Sequence, residues 1–530
     1  AVPYADTLVK DRIMTATQRV IDSGGIPIGF LVDEEFYTDD IIRENIDTID
    51  NLTLAKDGIQ IQASCTLPSV AYAQAVNIRR YKRLTEENPF VRDIQKDLLR
   101  WKTEHTGTVL RLDGTRQVGK TTELLKFAYK NYNQVIYVNL AMDRYDFLEV
   151  IRKGQFAFSM NRYCKRAGLL PFVNKQDTLL IIDEIQLSFD AYNSIRDLRS
   201  ALHCDIIVTG SYLGQTLKKE FFQPAGTVSS LSMHTLSFQE FCRIFGLEDT
   251  LLHIDLYGEG SPADYEKLYD LYDLYRKIGG YPEVVKTWLR CRDIRRCHEV
   301  LKNLLDIFEK ESRNYFSSPR DAEIFSSVYQ EAIREMCQEK RGSGKNSIET
   351  LTELTKKSSK SWITREEVSG AVMWLKYCSI IGCCHLASNG NINDIQYDRR
   401  IYFMDCGIAS YIAGGTTLPQ GTLEGLITET FVFNELYRLF HTFHEHPVVK
   451  GFLCFSIYNQ YELDFMLTAS DNIIYGLEVK TTAGNPRSLK MFIDRRFVDK
   501  GIVAKRTRGG HGDVFDTIPI FAVGARFPYR

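Results

Sequence analysis

One stretch constrains this chain more than any other: Gly114-Thr-Arg-Gln-Val-Gly119-Lys120-Thr121. It follows TVLRLDG, an apolar strand pattern, and opens TTELLKFAYK, whose apolar residues recur at helical spacing. Glycines at both ends of such a loop let backbone N–H groups curl around phosphate oxygens. Lys120 supplies a point charge to the β- and γ-phosphates, and the hydroxyl of Thr121 is available to Mg²⁺. A helix starting at this point adds its own partial positive charge, with Thr122 in the same first turn. Gly114, Gly119, Lys120, Thr121 and Thr122 are therefore the expected phosphate contacts of a nucleotide site.

Two further strands acquire meaning from that loop. Thr178-Leu-Leu-Ile-Ile-Asp183-Glu184 reads as a buried strand ending in two carboxylates. About sixty residues after a phosphate loop, Asp183 is expected to hold Mg²⁺ and Glu184 to polarise the water that attacks the γ-phosphate. Asp205-Ile-Ile-Val-Thr209-Gly-Ser211 ends in polar residues, Thr209 and Ser211, where a γ-phosphate sensor would stand. Strand patterns at TVLRLDG, QVIYVNL, TLLIIDEI, CDIIVTG and VSSLSM alternate with helical segments. That alternation predicts an α/β fold with a parallel sheet covered on both faces. The expected reaction is ATP hydrolysis, with ATP and Mg²⁺ as cofactors.

At 530 residues the chain exceeds what one hydrophobic core holds. The expected division is an acidic α+β segment (1–87), a phosphate-loop ATPase core (88–245), a helical lid (246–320), a winged helix (321–412) and a C-terminal α/β domain (413–530). The winged helix rests on helical runs followed by two strand-like runs around GCCHLA and RRIYFMD. Its last helix is expected near Ile363–Tyr377, with Arg365 and Lys376 too few for a convincing DNA-reading face. No apolar run is long enough to span a membrane, and AVPYADTLVKDR has no secretion-signal core, so a cytoplasmic protein is expected. Twelve cysteines without a CxxC pair, including adjacent Cys383 and Cys384 on a strand, read as buried thiols rather than a metal cage.

Net charge is only −2, but it is unevenly spread. Residues 1–95 carry ten Lys/Arg against fifteen Asp/Glu, and residues 479–530 carry eleven against four. A basic C-terminal end could face a phosphate backbone or be an ordinary solvated surface. Just before it stand Glu462-Leu-Asp464-Phe and Glu478-Val-Lys480. Glu478 and Lys480 lie two apart on a strand and share a face, and a tight turn at Ser470-Asp471-Asn472 would bring Asp464 alongside Glu478. Such a set can hold Mg²⁺ and activate water against a phosphodiester. By spacing alone the solvent face of an antiparallel hairpin is the favoured reading.

The segments TRQVGKTTELLKF, LLIIDEIQ, IVTGSYLG, HTLSFQEF and IGGYPEVV together resemble a broad prokaryotic family of AAA-type ATPases. Members carry a C-terminal extension long catalogued as a domain of unknown function, similar to a winged helix followed by a PD-(D/E)XK nuclease-type fold. FMDCGIASYI, ETFVFNEL, ELDFML and GLEVK match that extension in order, so the resemblance spans roughly residues 88–490. It implies that Glu429 is the acidic helix residue, Asp464 and Glu478 the metal-binding pair, and Lys480 the catalytic lysine. Many relatives have Arg or Lys after the glycine where this chain has Pro224-Ala-Gly226-Thr227, so the sequence names no charge-stabilising arginine.

Three functions follow as alternatives. The first is an ATPase whose nucleotide state controls a metal-dependent DNA nuclease. The second is an ATP-driven switch or scaffold with a non-cleaving nuclease-like domain, and the third a signalling ATPase acting on protein partners. DNA, and a second copy through the ATPase domain, are the partners this reading admits, with no membrane.

Overall fold

In a computed structural model the described residues are 70–104, 107–210, 226–312, 321–337, 346–358, 364–441, 448–481 and 485–529. Four short strands between Phe30 and Ser64 add two antiparallel hairpins. The helix-like stretch Thr7 to Ser23 lies outside the described residues.

All five strands expected in the ATPase core are present: β1 (Val109–Gly114), β2 (Gln134–Asn139), β3 (Thr178–Asp183), β4 (Asp205–Thr209) and β5 (Val228–Met233). They form one all-parallel sheet in the order β2-β3-β4-β1-β5. Every residue of β3 is buried, because helices pack on both faces of the sheet. At the end of β1 the chain enters α1 (Lys120–Asn131) through a loop that glycine makes possible. A Cβ at Gly114 would stand 2.0 Å from the Met233 carbonyl oxygen, so only glycine lets β1 finish against β5.

The helical region holds α2 (Pro262–Ile278), a helix at Pro282–Cys291, α3 (Ile294–Ser312), α4 (Asp321–Cys337), α5 (Ser347–Ser358) and α6 (Arg365–Tyr377). An antiparallel hairpin follows, β6 (Ile381–Ser388) with β7 (Ile395–Phe403). It does not stand apart. Strand β6 pairs in parallel with β8 (Val449–Tyr458), so the hairpin extends the C-terminal sheet. That sheet continues through β9 (Tyr461–Ala469), β10 (Ile474–Lys480), β11 (Lys500–Lys505) and β12 (Asp516–Pro519), in the order β7-β6-β8-β9-β10-β11-β12. Helices α7 (Gln420–Leu439) and α8 (Arg487–Asp494) flank it.

The C-terminal half is tied to the ATPase core by buried polar contacts. Asp405 caps the helix after β7 by accepting from the Gly407 and Ile408 amides, and its other oxygen accepts from the Gly280 amide at 2.8 Å. A Cβ at Gly279 (φ 72°) would fall 2.0 Å from Asp405 Oδ1. Leu236 in turn donates its amide to the Gly280 carbonyl at 2.8 Å. Thus the HTLSF, IGGYP and FMDCG segments meet at one junction. From α7, Glu435 accepts the Phe238 amide at 3.2 Å and Arg438 donates to the Thr235 carbonyl at 3.2 Å. Buried polar groups paired this way fix a unique arrangement, because any other leaves them unsatisfied.

Candidate functional site

The phosphate loop sits at the C-terminal edge of β1, where an open α/β sheet places its ligands. Gly119, the residue before α1, has φ 92°, a conformation that suits glycine and turns the loop into the helix. Lys120 is buried and donates from Nζ to the carbonyls of Gly114 (2.8 Å) and Thr115 (2.7 Å). Burial, and then the neighbouring Arg116, pull its ammonium down to about 8, while Glu184 and Asp183 oppose that shift. Thr121 and Thr122 follow in the first turn, both half-buried.

The acidic side of the site comes from β3. Asp183 Oδ2 accepts from Thr121 Oγ1 at 2.9 Å and from the Tyr137 hydroxyl at 2.8 Å, while Oδ1 accepts the Glu184 amide at 2.9 Å. Burial raises its carboxyl, and the two hydroxyls counteract that. A hydroxyl and a carboxylate converging on one point are the oxygen donors that Mg²⁺ takes, so the residues fit that ion with a nucleotide's phosphates. Glu184 has φ 55° and its carboxylate accepts from the Gln186 side chain, which sets its direction at the strand end. Tyr137 escaped the sequence reading. Its only signal is a polar-tipped residue in β2, adjacent to the carboxylate strand.

Thr209 is also at the expected edge, but its hydroxyl donates to the Leu112 carbonyl at 2.9 Å and is fully buried. It stitches β4 to β1, leaving any sensing to groups beyond it. Ser211 lies outside the described residues.

A second polar cluster lies on the C-terminal sheet. Phe465 pairs with Leu477, and the next step of that register sets Asp464 opposite Glu478, as the turn spacing predicts. Asp464 Oδ2 accepts the Val479 amide at 2.6 Å, replacing a strand hydrogen bond with a side-chain one. Glu478 is buried, with Oε2 accepting the Leu489 amide of α8 at 3.0 Å and Oε1 2.6 Å from Lys480 Nζ. Desolvation, and then the charge of Glu429, push the Asp464 carboxyl up to about 8, against the Val479 amide and Arg400.

Arg400 is the residue the sequence did not disclose. It is buried on β7, 3.3 Å from Glu429 Oε1, and ion-paired with Glu462. Tyr402 also donates to Glu429. Glu429 is therefore held by an arginine and a tyrosine, and Glu478 by an amide and Lys480. Among the described residues no three His, Cys, Asp or Glu side chains converge into a ready metal cage. The carboxylates still suit a hard cation chemically, since crowded negative charge around Asp464 is relieved by one.

A stability effect follows from the burial of this carboxyl and the charge of Glu429 beside it. A carboxyl raised in the folded state contributes no penalty below its unfolded value of 3.8, and a growing one as pH rises toward about 8. Asp464→Asn keeps an acceptor for the Val479 amide and removes the charge. Its melting temperature should exceed the parent's by about 1–3 °C at pH 8, with a smaller gain at pH 5. A gain equal at both pH values would contradict a raised Asp464 carboxyl.

Near this cluster, Tyr461, Asn485, Arg487, Lys490, Arg495 and one carboxylate, Asp494, line a depression of about 350 Å³. Three basic residues of the C-terminal excess thus share one surface feature. By contrast, the cations of α6 are occupied by acids: Lys376 pairs with Asp398, and Arg365 lies 3.9 Å from Glu353. Val372, Trp374 and Leu375 of that helix are buried. The described cysteines are free, with Cys383 and Cys384 buried on β6. No helix among the described residues is long and apolar enough to cross a membrane.

Fold and site together are a phosphate loop at the edge of a five-stranded parallel sheet, the arrangement of a nucleotide-binding P-loop domain. In agreement, residues 106–242 match a family model described as an AAA domain (AAA_14). Residues 269–418 match a domain of unknown function (DUF8612), which covers the helical region and the β6–β7 hairpin. No curated protein matches the chain. Among solved structures, a Walker-type ATPase of Pyrococcus abyssi is similar at 16% identity and a TM-score of 0.37, over 61% of this chain and 96% of that one. The Aeropyrum pernix ORC1 protein, solved in complex with DNA, is similar at 14% identity and a TM-score of 0.27, over 64% of this chain and 93% of that one. The RuvB Holliday junction branch migration motor of Thermotoga maritima is similar at 13% identity and a TM-score of 0.26, over 56% and 90% respectively.

Proposed function

We propose that the chain binds ATP with Mg²⁺, hydrolyses it, and uses its nucleotide state to control a nuclease-like C-terminal domain acting on DNA. The observation that carries the ATPase reading is the convergence of Thr121 on Asp183, with Lys120 and Glu184 at the same sheet edge. Lys120 and the loop amides bind the β- and γ-phosphates, Thr121 and Asp183 orient the ion, and Glu184 takes the proton of the attacking water. Mg²⁺, when bound, neutralises charge between the β- and γ-phosphates.

The nuclease-like reading rests on Asp464 set opposite Glu478 with Lys480 at 2.6 Å. Asp464 and Glu478 would hold a divalent cation, and Glu429 would join by exchanging Arg400. Lys480 steadies negative charge on the scissile phosphate, and Arg487, Lys490 and Arg495 track the backbone. Three helices followed by a hairpin support a winged helix at 321–412, and its occupied cations favour a spacer over a DNA reader. Self-association through the ATPase domain belongs to the same reading.

One observation favours a non-cleaving switch instead: the carboxylates are bound to protein donors, with Glu429 held by Arg400. Linear and circular DNA incubated with the purified chain, with and without Mg²⁺ and ATP, separates the two. The cleavage reading expects Mg²⁺-dependent nicking or shortening, reduced at least about a hundredfold in Glu478→Ala. Unaltered DNA in every lane, or equal cutting by Glu478→Ala, leaves the switch.

A further inference from the structure

Arg116 is the third residue of the phosphate loop, and it is buried rather than turned to solvent. Its Nε lies 2.5 Å from Glu311 Oε2, at the C-terminal end of α3. Its guanidinium carbon sits 5.6 Å from the ring centre of Trp374 on α6. The preceding residue, Thr115, donates its hydroxyl to the Ser379 carbonyl just after α6, at 3.2 Å. The phosphate loop is thus roofed by the lid helix α3 and by α6. One terminal nitrogen of Arg116, Nη1, is buried with no hydrogen bond of ordinary geometry among the described residues, and the guanidinium's other neighbour is the weakly accepting thiol of Cys378. A buried cationic N–H without a strong acceptor is costly, and an incoming phosphate oxygen would satisfy it.

Glu311 brings negative charge to the same place. Besides Arg116, its carboxyl interacts electrostatically with Glu184 and Lys120, and burial raises it above the ordinary glutamate range. The cations that would receive a terminal phosphate therefore already face a carboxylate contributed by the lid. Two anions cannot share these cations without repulsion in a poorly solvated pocket.

Building on the nucleotide-binding reading, we propose that Glu311 is a built-in competitor for the terminal phosphate of the nucleotide. It holds Arg116 in the nucleotide-free chain and releases it when phosphate arrives. Arg116 is then a phosphate contact supplied from within the chain, at a site where the sequence names no such arginine. Loss of the Arg116–Glu311 pair loosens the end of α3 and the face of α6 that carries Trp374. Phosphate occupancy is thereby conveyed to the helices leading into the β6–β7 hairpin and the C-terminal sheet.

The test is titration of the full chain with a fluorescent ATP analogue and with the matching AMP analogue. Glu311→Gln preserves shape and removes charge, and should tighten the triphosphate about tenfold while moving the monophosphate by less than about twofold. Arg116→Ala should weaken the triphosphate about tenfold. Unchanged or weaker triphosphate binding by a folded Glu311→Gln, or unchanged binding by Arg116→Ala, overturns the proposal. Hydrogen exchange of the parent chain gives a reading independent of any variant. Amides at 305–312 and 370–379 should exchange faster with the ATP analogue than with AMP, and equal or slower exchange also overturns it. A parent chain that binds no nucleotide would instead defeat the underlying ATPase reading, before any variant is made.

Discussion

Lys120→Ala should lose at least about a hundredfold in ATP affinity, measured by calorimetry or analogue fluorescence. The side chain is a buried cation at the start of α1, and its ammonium already donates to two carbonyls of the loop. Truncation removes the charge that the β- and γ-phosphates would meet and leaves the Gly114 and Thr115 carbonyls without that donor. Because Lys120 also ties two loop carbonyls together, melting is recorded alongside binding. Affinity lost in a chain that melts like the parent isolates the phosphate contact. Affinity retained within about threefold would mean that phosphates do not lie against Lys120.

Glu184→Gln should separate binding from turnover. The substitution keeps the side chain's shape and can keep a hydrogen bond to Gln186, so nucleotide affinity should stay within about threefold of the parent. It removes the carboxylate able to take a proton from water, and the hydrolysis rate should fall about a hundredfold or more. Neighbouring Asp183 cannot substitute, because its oxygens are engaged by Thr121, Tyr137 and the Glu184 amide. Equal rates in variant and parent would show that another group activates the water.

Much of this architecture is legible in the sequence because it depends on local rules. A parallel sheet buried on both faces requires continuous apolar strands, and TLLIID supplies one whose six residues are all buried. The loop spacing forces Lys120 and Thr121 to the start of a helix, and the Ser470-Asp471-Asn472 turn sets the register that places Asp464 opposite Glu478. What stayed hidden depends on contacts between distant segments. Arg400 reaches Glu429 and Glu462 across the sheet, Tyr137 reaches Asp183 from the next strand, and Glu311 reaches Arg116 from α3. None has a spacing signature, since each partner is brought in by tertiary packing. The joining of β6 to β8 was hidden for the same reason: a hairpin pattern does not say which sheet its outer edge will meet. Thr209 shows the converse, a polar residue at a plausible sensor position whose hydroxyl is taken by the Leu112 carbonyl.

Hydrolysis of ATP at this phosphate loop with a divalent cation is tested by the release of inorganic phosphate from ATP by the purified chain. The predicted result is release that requires Mg²⁺, stops on chelation, and is absent in Lys120→Ala under the same conditions. Release that is indifferent to Mg²⁺, or that continues at the parent's rate in Lys120→Ala, would contradict it.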